Sequence, residues 1–187
     1  MSKKSLLILL MAFNSWMPWT HEAKALLQDR NAMIIFSGQP GYARGECCLI
    51  EPPGFMINSN CEMEDIGMVS LHEAQHLLGH VYVTPSGTPL YEDWFRTESW
   101  DSFSRLAIVC AKDTAPENMR LVRKFADLGP WELHAQLPWL LQGKLCPKLQ
   151  PWYPWFDLSW VATPQEDASR PVLKGHVKGI RQYIAPA

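Results

Sequence analysis

The chain has 187 residues, 47% hydrophobic and 19% charged, a balance that excludes wholesale disorder and supplies one domain with a real core. Lys plus Arg number 17 against 19 Asp plus Glu, for a net charge of -2, and no run of five like charges exists, so a nucleic-acid binder built on a basic face is disfavoured. Nine Trp and 15 Pro point to a loop-rich chain held by large apolar anchors.

Residues 1–25 read as a signal peptide or N-terminal hydrophobic segment. Lys3 and Lys4 precede the apolar run Leu6 to Phe13, and Ala23-Lys24-Ala25 offers a small-x-small cleavage site. That run is too short to span a bilayer, which needs ~20 residues. The expected location is periplasmic or secreted, with anchorage through the N-terminus as the alternative. Export would put Cys47, Cys48, Cys61, Cys110 and Cys146 in an oxidising compartment. Cys47 or Cys48 with Cys61, and Cys110 with Cys146, are the candidate pairs, and the sequence leaves the connectivity open. Zinc ligation by cysteines is disfavoured because no C-x-x-C pair exists.

The main domain is read over residues 26–162. Met33 to Phe36, Cys48 to Ile50 and Met56-Ile57 look like short strands, the first two separated by the turn-prone Ser37 to Gly41. A helix is expected from about Gly67 to Val81, where Val69, Leu71, Ala74, Leu78 and Val81 form one stripe. Thr84 to Pro89 is a loop, and a second helix is expected from about Asp93 to Ala111. Thr114-Ala115-Pro116-Glu117 reads as a capping box opening a third, which stops at Gly129-Pro130. A fourth starts at Pro130 and is kinked or ended by Pro138. Pro151 to Phe156 is expected to be extended or turned, and residues 163–187 form a polar tail read as poorly ordered. The fold class is α+β: short N-terminal strands followed by several helices.

His72-Glu73-Ala74-Gln75-His76 is the sharpest chemical signal. On a helix, residues four apart lie on one face about 6 Å apart, so the two imidazoles can share one tetrahedral zinc. Glu73, beside the pair, can take the proton of a water whose pKa the metal lowers toward ~7. At ordinary composition this pattern arises by chance in about one chain in 200 of this size. Its position in a well-patterned helix after short strands raises the odds that it is a site.

The stretch Met68 to His80 resembles the active-site helix of zincin-type zinc metallopeptidases. The resemblance implies a zincin-like domain in which His72 and His76 bind one zinc ion and Glu73 is the general base. It does not name the third ligand. One zincin class has a third His six residues after the second, where this chain has Tyr82. His80 is ~12 Å from His72 along a helix, whereas two nitrogens on one zinc lie within ~4 Å. The other class takes a Glu from a later helix. Trp131-Glu132-Leu133-His134-Ala135-Gln136 resembles the E-x-x-A-[EQ] helix of gluzincins, which implies Glu132 as ligand and Ala135 as the small residue permitting close packing. Glu98 is the alternative, in a segment similar to the E-x-x-x-D helix of thermolysin-like enzymes, although Asp101 comes one residue early. Asp93, His80 and His134 are weaker candidates.

Tyr82 and Tyr91 are candidate oxyanion donors, but loop anchors are the commoner use. The segment Trp152 to Trp160 is read as a layer over the core rather than a cleft wall, and Cys61 as a disulfide partner rather than a zinc cap. The functional expectation is a zinc-dependent peptidase acting on a protein or peptide substrate, with no nucleic-acid partner and no stable transmembrane span. The alternative is a non-catalytic zinc-binding or envelope-associated interaction module.

Overall fold

The computed structural model describes residue 20 and residues 33–37, 45–48, 54–58, 63–97 and 99–159. The expected signal segment (apart from Thr20), the polar tail, Cys61 and Glu98 lie outside them. Among the described residues the chain is mostly helical, with one small sheet.

Strands β1 (Met33–Ser37), β2 (Gly45–Cys48) and β3 (Gly54–Asn58) form the sheet in the order β1-β3-β2. β1 runs parallel to β3, pairing Met33 with Gly54 and Ser37 with Asn58. β2 runs antiparallel to β3, pairing Gly45 with Ile57 and Cys48 with Gly54. The second strand begins earlier than the apolar Cys48 to Ile50 suggests. Its register against β3 is a long-range term that local propensity does not contain. Phe55 and Ile57 alternate onto one buried face.

Helix α1 (Met63–Val81) packs against β2 and β3. It begins earlier than its apolar stripe implies, and it is buried well beyond that stripe: Asp65, Ser70, His72, Glu73 and Gln75 are as inaccessible as Leu71 and Leu77. A turn closed by the Val83–Pro89 bridge, with Gly87 at φ 85°, leads into α2 (Leu90–Thr97). Where a single helix is expected over 93–111, the described residues give two elements, α2 and α3 (Ser99–Thr114), on either side of residue 98. The Thr97 hydroxyl bonds the Asp93 carbonyl at 2.8 Å and also meets Ser99 Oγ at 2.7 Å.

The expected capping box does not form. The Thr114 hydroxyl turns back to the Cys110 carbonyl, and Pro116–Asn118 forms a 3-10 turn without a side-chain cap. α4 (Met119–Leu128) follows and ends at Gly129, whose φ of 138° turns the chain into α5 (Pro130–Leu140). Pro138 neither ends nor empties this last helix. A proline cannot bond the carbonyl four residues back, here that of His134, and the Tyr153 hydroxyl donates to that carbonyl instead at 2.8 Å.

Cys110 and Cys146 form a disulfide, one of the two expected pairings; it ties α3 to the segment after α5. Its 36-residue separation corresponds to about 4 kcal/mol of loop-closure entropy removed from the unfolded chain. Pro147–Trp152 is a 3-10 helix and the chain turns at Pro154 and Trp155, so the expected extended-or-turned segment is turned. Tyr153, Trp155 and Phe156 are fully buried, so this segment does cover the core. Trp155 Nε1 donates to Gln75 Oε1 of α1 at 2.8 Å, and the Thr20 amide donates to the Trp155 carbonyl at 2.9 Å.

Candidate metal centre

α1 and α5 pack directly against each other, with Gly67 of α1 close enough to Trp139 of α5 that a Cβ there would lie 3.5 Å from the indole. Ala135 is fully buried within α5. This packing brings one side chain of α5 to the two histidines of α1. His72 Nε2 lies 3.1 Å from His76 Nε2. Glu132 Oε2 lies 3.2 Å from His72 Nε2, and Glu132 Oε1 lies 3.4 Å from His76 Nε2. Among the described residues, these three form a group able to hold a metal ion.

The triangle can be tested against coordination geometry. A tetrahedral ion with ligands at ~2.0–2.1 Å has its ligand atoms ~3.3–3.4 Å apart. The two nitrogens lie 3.1 Å apart and each meets a different oxygen of Glu132, at 3.2 and 3.4 Å, close to that spacing; one ligand atom from each of the three residues lies within 4.8 Å of the others. The donor set, two imidazoles and a carboxylate, suits zinc and other borderline divalent ions.

The tautomer of His72 is fixed by a residue whose role the sequence reading missed. Gln136 Oε1 can only accept, so His72 Nδ1–H donates to it, at 2.8 Å. With Nδ1–H committed to Gln136, Nε2 is the His72 nitrogen that faces His76 and Glu132. Gln136 lies one turn beyond Glu132 on α5, and the i,i+4 spacing of two polar residues in an otherwise apolar helix is the signal that could have found it.

Burial opposes charge on His72, but the Glu132 hydrogen bond, the charges of Glu73 and Glu132 and the Gln136 contact outweigh it, so its pKa is raised. Burial dominates at His76 and lowers its pKa, despite Glu132. Burial also opposes charge on Glu132, yet its bonds to His72 and His76 hold the carboxyl well below the usual carboxylate range. Glu132 therefore stays ionised as an anionic donor. Glu73 is 2% exposed and near enough to His72 for its charge to be felt there.

The remaining candidates are not brought to the triangle. α1 continues unbroken through Gly79 to Val81, so His80 stays on the exposed rim with its ring 4.9 Å from that of Tyr91. Asp93 Oδ1 accepts from Ser86 in the 84–88 turn at 3.1 Å. His134 uses both nitrogens in structural bonds: Nε2–H donates to the Trp152 carbonyl at 2.7 Å, and Nδ1 accepts from the Tyr91 hydroxyl at 2.9 Å. Its burial pushes its pKa down to about 3. Tyr91 is thus committed to His134, while Tyr82 packs on Trp155 at 5.9 Å. Both behave as anchors.

Comparisons with models of known protein families, with characterised proteins and with solved structures return no match.

Proposed function

We propose that the chain is an exported zinc-dependent peptidase with a zincin-like domain, in which His72, His76 and Glu132 hold one zinc ion and Glu73 is the general base. The observation that carries this reading is the approach of the Glu132 carboxylate to His72 Nε2 and His76 Nε2, at 3.2 and 3.4 Å with those nitrogens 3.1 Å apart, beside a buried glutamate adjacent to a ligand. Zinc bound there supplies a Lewis acid that polarises a scissile carbonyl and lowers the pKa of water toward ~7. Glu73 accepts the proton of the attacking water and passes it to the leaving amine. Gln136 holds His72 in the tautomer that presents Nε2, and Glu132 contributes the negative charge that balances part of a dication.

The resemblance of Met68 to His80 and of Trp131 to Gln136 to the two gluzincin helices points the same way. The Cys110–Cys146 disulfide supports an oxidising compartment. No helix among the described residues is long and apolar enough to cross a membrane. A net charge of -2 favours a protein or peptide substrate over nucleic acid.

The test is metal analysis of the purified chain with His76→Ala alongside, followed by incubation of wild type and Glu73→Gln with a mixed peptide library. About one zinc per chain, lost with His76→Ala, is expected, and Glu73→Gln should keep the metal while cleavage falls by about 10²–10⁴-fold. A folded wild-type protein that takes up no zinc on reconstitution refutes the site. Stoichiometric zinc with no cleavage favours the non-catalytic zinc-binding module instead.

A further inference from the structure

A cleft of about 360 Å³ opens directly beside the candidate metal centre, lined by His76, His80, Tyr91, Glu92, Phe95 and Trp131. It meets the candidate metal centre at His76, itself one of the three donor residues. Its size lies within the range of small-molecule and side-chain pockets. Its walls are three aromatic rings. Phe95 is 71% exposed and Trp131 40% exposed, large apolar surfaces left toward solvent on two neighbouring helices. Tyr91 forms the floor and is rigidly held, its hydroxyl 2.9 Å from His134 Nδ1 and its ring close to those of Trp100 and Trp131. Among the described residues lining the cleft, the one carboxylate, Glu92, is paired with Arg96 one turn on, so it does not leave an uncompensated negative charge to attract a cation.

We propose that this cleft is a substrate subsite for a large apolar side chain, aromatic by preference, belonging to a residue that flanks the scissile peptide bond. The proposal rests on the peptidase reading for the words "scissile bond", but the apolar recognition stands on the cleft alone. Seating an aromatic ring between Phe95 and Trp131 removes apolar surface from water on both partners. It also places the backbone of that residue beside His76, where its carbonyl can reach the triangle. A small side chain leaves the cleft wet, and a lysine must strip its ammonium among aromatic walls where the carboxylate of the described lining, Glu92, is already matched.

Two measurements test it. In the first, N-acetyl-phenylalaninamide, N-acetyl-alaninamide and N-acetyl-lysinamide are titrated into the whole Glu73→Gln protein, following the indole N–H resonance of Trp131 by NMR, assigned with Trp131→Phe. The phenylalanine probe should bind roughly tenfold or more tightly than the alanine probe and shift that resonance. Phe95→Ser, at a position too exposed to threaten the core, should remove most of the difference. In the second, the wild-type and Phe95→Ser proteins cleave an internally quenched peptide library. The ratio of kcat/KM for peptides with an aromatic residue at the cut to those with alanine should fall about tenfold in the variant, with zinc content unchanged. Cleavage without apolar preference overturns the subsite while the peptidase reading survives. Tighter binding of the lysine probe, or an unmoved Trp131 resonance, also overturns it. Selective aromatic binding with no cleavage of any peptide upholds the cleft and overturns the peptidase reading.

Discussion

Replacing Gly79 by alanine ought to stabilise an ordinary helix. Removing a glycine from a helical position gains ~1 kcal/mol in propensity. Here the gain is opposed by one specific contact. A Cβ at position 79 would lie 2.1, 2.2 and 2.5 Å from Cε1, Cζ and Cδ1 of Tyr91, so the ring must retreat by more than about 1 Å to reach van der Waals separation. It has little room, because it sits 5.4 Å from the rings of both Trp100 and His134 and 5.8 Å from that of Trp94, centroid to centroid. Its displacement also breaks the hydroxyl bond to His134. Overpacking costs ~1–3 kcal/mol and the hydrogen bond ~1 kcal/mol, so Gly79→Ala should destabilise by roughly 1–3 kcal/mol net of propensity. Urea denaturation followed by circular dichroism measures it, provided the m-value is unchanged. In a Tyr91→Ala background the sign should reverse, with Gly79→Ala now stabilising by up to ~1 kcal/mol. If Gly79→Ala alone raises the midpoint, the close approach of α1 to Tyr91 is wrong.

Other outcomes follow from single contacts. Gln136→Leu should weaken zinc binding by ~10–100-fold, because it frees the His72 tautomer without touching a donor; competition with a chelator reads this, and an unchanged affinity would remove Gln136 from the site. Tyr153→Phe should cost ~1–3 kcal/mol by orphaning the His134 carbonyl. That cost should shrink in a Pro138→Ala background, where the new amide can bond the same carbonyl; equal costs in both backgrounds would refute the compensation. The buried His134 is neutral in the folded state, with a pKa near 3 against ~6.5 unfolded. Since the unfolded chain binds more protons, the contribution is intact above pH 6.5 and is lost as pH falls toward 3, at ~1.4 kcal/mol per pH unit, or about 2 kcal/mol between pH 7 and 5. An NMR titration should show the His134 ring unprotonated until the protein unfolds in acid; a midpoint near 6.5 would contradict its burial.

The chemistry of the first helix is local, and so the sequence by itself determined it. Two histidines four apart acquire their common face from the 3.6-residue period alone, with Glu73 one residue after the first, and tertiary context only had to leave that helix intact through Gly79. The starts and stops set by Gly129 and Pro130 are local in the same way. Other features depend on partners distant in sequence. β2 takes its partner and register from β3. Pro138 looks like a helix stop until Tyr153, fifteen positions on, satisfies the carbonyl it releases. Glu132 was legible as a candidate beside Glu98, but no spacing rule brings a carboxylate 56 residues away within 3.4 Å of His76. The packing of α5 on α1 does that, and the same packing turns Gln136 from a motif position without a role into the acceptor that orients His72. Ligand types are a property of the sequence; the distances that let them act on one ion belong to the interface between two helices, where burial energy rather than local propensity sets the register.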